Sequence, residues 1–317
     1  SNQAVLDAMK VARPGGTISF IGFMVQELPI PMLDFYLKDL TFRGGVCPAK
    51  NYIRKLLPLI QNGKIDPTAV ITHDLPLADT PDVSRLSERL QEAGAKSGAP
   101  MLMRIFKETS ELEVWLETGD RFHLFATYPI CHWSGTLGPK LREGDKQTPE
   151  GFYTITNRQL RHLGRWPRAI NLGYPNAFDR AHNRNGSYIL MHGGCSSVGC
   201  FAMTNPVMSE IYGLAKAAIR GGQRHIPVHV FPFRMTEAKL AAHAAGPWND
   251  FWSDLKQGYD SFERTRRPPS ISVCGRRYRV RDASPFVRDA EGIALCEADR
   301  DLIPAHLERQ EQADAGQ

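Results

Sequence analysis

The chain has 317 residues, 42% of them apolar, with 39 basic and 34 acidic side chains and a net charge of +5. That is enough chain for about two domains with proper cores. No apolar run approaches the ~18–20 residues of a bilayer-spanning helix, and the first residues show neither the basic nor the apolar region of a signal peptide. AVLDAMKVARPGG (4–16) then sets Val5, Ala8, Met9 and Ala12 at helical spacing before a Pro14-Gly15-Gly16 stop. TISFIGF (17–23) reads as a buried strand, PMLDFYLKDL (31–40) as a helix and TFRGGV (41–46) as a second strand. NYIRKLLPLIQNGKI (51–65) reads as a helix closed by Asn62-Gly63. Residues 1–83 are thus a partial α/β fragment, half of a βαβ sheet, whose open edge offers a surface for oligomerisation.

SRLSERLQEAGAKSGAP (84–100) turns polar and then Gly/Ala/Ser/Pro-rich, the pattern of a linker. Beyond it strand signals dominate: MLMRIFKE, ELEVWLET, RFHLFATYPI, GFYTITN, RAINLGY, SYILMHG and IPVHVFPF are short and rich in β-branched and aromatic residues. SEIYGLAKAAIRGG (209–222) reads as a helix with a glycine stop, and residues 239–262 carry two more helical pieces. The fold class expected is α+β, a mainly β domain over residues 101–281 with a few helices, preceded by the α/β fragment. From Asp282 the sequence is charged and weakly patterned, which predicts a frayed tail over 282–317. The basic excess lies wholly beyond residue 83, partly in RRYRVR (276–281), and a run that short reads as a solvated strand face; no nucleic-acid partner is expected.

MHGGCSSVGC (191–200) is where the chemistry concentrates. His192, Cys195 and Cys200 are zinc-competent at H-x2-C-x4-C spacing, but no neighbouring ligand completes a set of four. A disulfide joining Cys195 to Cys200 is a second reading. A nucleophile with its base is the third, and it uses every member of the stretch: a thiolate needs an imidazole, and an oxyanion needs backbone N–H groups beside the sulfur. Here Gly199 and Cys200 supply the donors, and the Gly193 carbonyl fixes the His192 tautomer. The six cysteines are too few for a disulfide scaffold, although a pair such as Cys131 and Cys195 is able to bond in an oxidising compartment.

Two resemblances add to this reading. ARPGGTISFIGF, DLTFRGGV, LLPLIQNGKIDP and ITHDLPLADTPD resemble the C-terminal part of the cofactor domain of medium-chain alcohol dehydrogenases. The dinucleotide fingerprint, the acidic ribose ligand and the zinc ligands of that family are not in these residues, so no cofactor and no metal is expected. Over about 98–280, LMRIFK, TYPICHWSGTLGPKLREGDKQTPEGFY, INLGYPNAFDRA, MHGGCSSVGCFAM and VHVFPFRMT resemble the L,D-transpeptidase (YkuD-type) domain, in its YafK-type murein branch. The resemblance implies Cys200 as nucleophile, His192 as base, and Ser197 and Gly199 as residues shaping the oxyanion site. The commoner family pattern has a histidine directly before the Gly-Cys pair, where this chain has Val198.

Other marked residues have plainer readings beside functional ones. Tyr153 in TPEGFY and Arg234 in PFRM are placed at the substrate cleft, Arg234 as a carboxylate clamp, with framework and an internal ion pair as the alternatives. Tyr174, Asn176 and Asp179 read as an Asx-type turn, Trp248, Phe251 and Trp252 as a helix core face, and His123 and His132 are unassigned. The function implied is an enzyme: a peptidoglycan-modifying cysteine acyltransferase, transpeptidase or amidase/endopeptidase, acting at the L-centre carbonyl of diaminopimelate. Its implied partners are peptidoglycan stem peptides and a murein-linked lipoprotein, in the periplasm or cell wall. A nicotinamide-dependent dehydrogenase remnant and a non-catalytic wall-binding scaffold are the rival readings.

Overall fold

The computed structural model describes residues 2–21, 31–45, 49–65, 81–160, 166, 168–283 and 293–297. The chain divides into two units, Ser1–Asp74 and Leu75–Gln317. The first is built from helix α1 (Asn2–Val11), strand β1 (Thr17–Ile21), helix α2 (Met32–Leu37), strand β2 (Thr41–Gly45) and helix α3 (Ala49–Gln61). β1 and β2 run parallel, Thr17 opposite Thr41 and Ile21 opposite Gly45, as a crossover unit requires. Met9, Ile18 and Leu40 form its small buried core. The expected strands are present, whereas the helix expected over 31–40 is only Met32–Leu37 and buries none of its residues.

The second unit opens with helix α4 (Leu86–Glu92), within the stretch expected to be a linker. Leu86 and Leu90 pack on the main core and Arg89 pairs with Glu210 at 2.8 Å, so this stretch belongs to the second unit. Strands β3 (Met101–Phe106), β4 (Glu111–Thr118), β5 (Arg121–Pro129) and β6 (Gly151–Ile155) follow. Then come β7 (Ile170–Asn171), helix α5 (Ala177–Ala181), β8 (Leu190–His192), β9 (Phe201–Ala202), helix α6 (Asn205–Arg220) and β10 (Ile226–Phe231). Helices α7 (Glu237–Ala242) and α8 (Asn249–Thr265) and strands β11 (Ser270–Cys274), β12 (Arg277–Arg281) and β13 (Ala294–Leu295) complete it.

The main sheet has the order β5-β4-β3-β10-β6, with β10 parallel to β3 and antiparallel to β6. β3 and β10 are buried at every residue, which is why MLMRIF and IPVHVF read as near-continuous apolar runs. α6 lays Val207, Met208, Ile211, Leu214, Ala215 and Ala218 against this sheet's core. It starts four residues before the expected Ser209 because Thr204 caps it, accepting from Val207 N–H, and Pro206 fits its first turn. On another face Phe251 and Trp252 of α8 are core residues, in accord with the plainer reading of that triplet.

Most of the tail expected over 282–317 lies outside the described residues. Within it β13 pairs parallel to β11 and Cys296 is disulfide-bonded to Cys274. A two-residue strand and a disulfide spanning 22 positions leave no periodicity for a sequence reading to find.

One buried ion pair organises the loop between β5 and β6. Lys107 Nζ, with its side chain fully buried, lies 3.0 Å from Glu150 Oε1 and donates to the carbonyls of Thr136, Gly138 and Thr148 at 2.9, 2.9 and 3.0 Å. Glu150 in turn accepts from Gly138 N–H at 2.7 Å and Trp252 Nε1–H at 2.8 Å. Burial presses the ammonium pKa down and Glu150 opposes that, so the charge persists only because acceptors surround it. Lys107→Met leaves the Glu150 carboxylate buried without its counter-ion, while Gln147 Nε2 still reaches the three carbonyls. It should lower the unfolding free energy by about 3–5 kcal/mol in denaturant titration followed by circular dichroism; a loss below about 1 kcal/mol, the range of an exposed pair, would refute this role.

Candidate active site

β8 and β9 pair in parallel, Met191 opposite Phe201 and His192 opposite Ala202, across a link of only residues 193–200. Parallel neighbours ordinarily need a crossover of a dozen or more residues. So short a reversal needs left-handed backbone, found at Gly194 (φ +97°), Cys195 (φ +48°) and Gly199 (φ +103°). The link is closed by Met203 N–H donating to His192 O at 2.8 Å and Cys195 N–H donating to Met203 O at 3.2 Å. Cys195 is also disulfide-bonded to Cys131, and His132 exchanges both backbone hydrogen bonds with Ala202 at 3.2 and 2.9 Å. The zinc reading and the Cys195–Cys200 disulfide both lose Cys195 to Cys131.

His192 ends β8 and is buried, 2% exposed. Its Nδ1 lies 2.6 Å from Gly193 O. A carbonyl only accepts, so Nδ1 carries a hydrogen, and in the neutral ring the lone pair a base needs falls on Nε2. The Trp166 ring stacks on the imidazole at 4.7 Å and 16°. Two glycines make this fit possible. A Cβ on Gly193 would fall 2.2 Å from Asn205 Oδ1 and 3.2 Å from Asn205 Cα, and one on Gly194 would fall 2.5 Å from Trp166.

Cys200, half-buried, is the free cysteine among the described residues. Its Sγ accepts from Leu190 N–H at 3.3 Å and faces Tyr188 O at 3.7 Å. Its N–H donates to Ser197 Oγ at 2.7 Å, and that hydroxyl donates back to Cys200 O at 2.8 Å. Gly199 N–H donates to Ser134 Oγ. Burial pushes the thiol pKa up, against the opposing pull of Leu190 N–H, Ser197 and the Lys140 charge. The resting sulfur is therefore a thiol, not a preformed thiolate.

Gly193, Ser197, Gly199 and Cys200 lie on this link, and His192 ends the strand before it. Arg234 and Tyr153 lie elsewhere, and their cleft placement is corrected. Arg234 is spent on Glu113 and Glu111 of β4, both at 2.8 Å, and its guanidinium lies 4.3 Å over the Phe106 ring. Tyr153 is 2% exposed, its hydroxyl donating to Asp179 Oδ2 at 3.1 Å in a buried network with Arg184 and Asn176. β6 is buried on both faces, Tyr153 on one and Phe152 on the other. Asn176 caps α5 in a capping box with Asp179, the turn reading of that stretch. Sequence reasoning missed Ser134 and Trp166. Ser134 lies inside TYPICHWSG, a stretch used for resemblance alone, and RHLGRWPR has no periodicity that singles out its tryptophan.

A raised thiol pKa has a direct consequence. Below that pKa the reactive thiolate is the minor form, so iodoacetamide labelling of Cys200 should keep accelerating as pH rises past the ordinary thiol value of about 8.5. Mass-resolved labelling rates between pH 6 and 10 check this; a rate already level at pH 7 would mean a stable thiolate and contradict it.

Comparison with known proteins gives two separate results. The sequence model of the L,D-transpeptidase catalytic domain (YkuD) matches residues 108–230. YafK of Escherichia coli K12, whose own assignment as an L,D-transpeptidase is provisional, is 46% identical over 183 residues, covering 58% of this chain and 74% of that protein. Upstream, Rv1895 of Mycobacterium tuberculosis, named as a zinc-binding alcohol dehydrogenase, is 35% identical over 78 residues, 24% of this chain and 20% of that protein. Among solved structures, the helical cell shape determining protein Pgp2 of Campylobacter jejuni aligns over 60% of this chain and 80% of its own at 16% identity, with a TM-score of 0.32 that carries no argument. With nearly half of the aligned residues shared across most of YafK, the chain belongs to the L,D-transpeptidase family.

Proposed function

We propose that the chain is a peptidoglycan-modifying cysteine acyltransferase in which Cys200 is the nucleophile and His192 the general base. The observation that carries this reading is a free, half-buried thiol at one end of a short link and, at the other, an imidazole whose Nδ1 is committed to Gly193 O. On substrate binding the thiol turns from Tyr188 O to Nε2 of His192, contacts of this kind tightening only in the complex. Sγ attacks the carbonyl at the L-centre of diaminopimelate in a stem peptide, and the thioester forms as the amine leaves with the proton from His192. An amine acceptor then gives a cross-link and water gives hydrolysis. A murein-linked lipoprotein is a candidate amide substrate for the second outcome.

We assign this chemistry to residues 101–281 and none of it to residues 1–83, which contribute no group to it. The Cys131–Cys195 and Cys274–Cys296 disulfides support an oxidising location, the periplasm or cell wall. No helix of the described residues is long and apolar enough to cross a membrane.

The test is product analysis of purified murein sacculi after incubation with the protein. New cross-links or newly freed stem termini should appear with the wild type and be abolished in Cys200→Ala. His192→Gln should slow the reaction by about 10²- to 10⁴-fold, the contribution of a general base. Turnover that persists in folded Cys200→Ala would overturn the assignment.

A further inference from the structure

The two backbone donors beside Cys200 are both held by hydroxyls, and the two hydroxyls are not equivalent. Ser197 Oγ accepts from Cys200 N–H and gives its own proton to Cys200 O. Ser134 Oγ accepts from Gly199 N–H. A hydroxyl that accepts still has one proton to give, and among the described residues none receives it from Ser134. Ser134 is half-buried, so an incoming group can reach that proton.

Its position is fixed from both sides. Ser134 N–H donates to Thr148 Oγ1 at 3.0 Å, and Ser134 O accepts from Thr148 N–H at 2.9 Å. Thr148 O is one of the carbonyls gripped by the buried Lys107 ammonium. On the other side His132, two residues before it, is locked to Ala202. A donor whose place is set before substrate arrives stabilises developing charge without reorganising.

We infer that Ser134 is a further catalytic residue, its hydroxyl donating to the oxyanion while its oxygen accepts Gly199 N–H. This rests on the acyl-enzyme reading above. The sulfur pair forms the C–S bond, the carbonyl π pair moves to oxygen, and the thiol proton passes to His192 Nε2. Ser134 Oγ–H donates to the new oxyanion, and Gly199 N–H polarises that hydroxyl through its oxygen. When the carbonyl re-forms, the bond to the leaving group breaks; an amine leaves with the His192 proton. Gly199 N–H thereby acts through Ser134, where the sequence reading had it meeting the oxyanion directly.

The test uses the full chain and two small probes at one pH, and needs no murein. Acylation of Cys200 by p-nitrophenyl acetate passes through a tetrahedral oxyanion; alkylation by iodoacetamide displaces iodide and forms none. Ser134→Ala should slow the p-nitrophenolate burst by about 100- to 1,000-fold, the loss seen on removing one oxyanion donor, and leave the alkylation rate within about twofold. Ser134→Thr, which keeps the hydroxyl, should recover most of the burst rate. Equal slowing with both probes would reduce Ser134 to holding the link in place and overturn the inference. So would an unchanged or faster burst in Ser134→Ala, or a wild-type Cys200 that the ester does not acylate. A chain that shows the expected pattern with the ester but processes no murein keeps the Ser134 assignment and loses the murein reading.

Discussion

The site depends on one constraint: β8 and β9 lie side by side in parallel, joined by eight residues, 193–200. The register sets His192, the last residue of β8, opposite Ala202, two positions past Cys200, which closes the link. A longer crossover would leave room for either residue to wander. The short one has to reverse twice, which is why left-handed backbone recurs at 194, 195 and 199. It also has to be tied down, and the Cys131–Cys195 disulfide and the His132–Ala202 pair do that from the neighbouring segment. Backbone topology thus sets where the proposed catalytic pair stands before any side-chain contact is counted.

Burial favours the neutral thiol at rest, and the imidazole turns its Nδ1 to Gly193 O. In the proposed mechanism proton transfer is coupled to attack, so that the ion pair exists only when a carbonyl is present to receive the sulfur. The buried Lys107 ammonium faces away into a cage of carbonyls and Glu150, whereas Lys140, also buried, is the charge that acts on the thiol. Lys107 fixes the 134–150 loop.

Local chemistry was legible in the sequence, and distant contacts were not. The expected β1 and β2 strands and the helix of α6 are where apolar patterning put them, and His192 and Cys200 stand at a strand end and a turn as their glycine-rich setting implied. Arg234 and Tyr153 were misplaced because residue type says nothing of what lies across a sheet: Arg234 meets two glutamates on β4, and Tyr153 faces a buried aspartate. Cys296 is held by a disulfide partner 22 positions away. Ser134 escaped notice for the same reason, since its partner Gly199 is 65 positions distant and a lone serine has no pattern of its own.

The central claim is that Cys200 carries the acyl group. The most direct measurement is acid-quenched intact mass of the full chain with a purified disaccharide-tetrapeptide, followed by peptide mapping. The account predicts a transient adduct equal to the acyl donor less its leaving group, located on Cys200 and labile to hydroxylamine as a thioester is. Turnover of the substrate with no adduct on Cys200, or an adduct mapped to another residue, would contradict it.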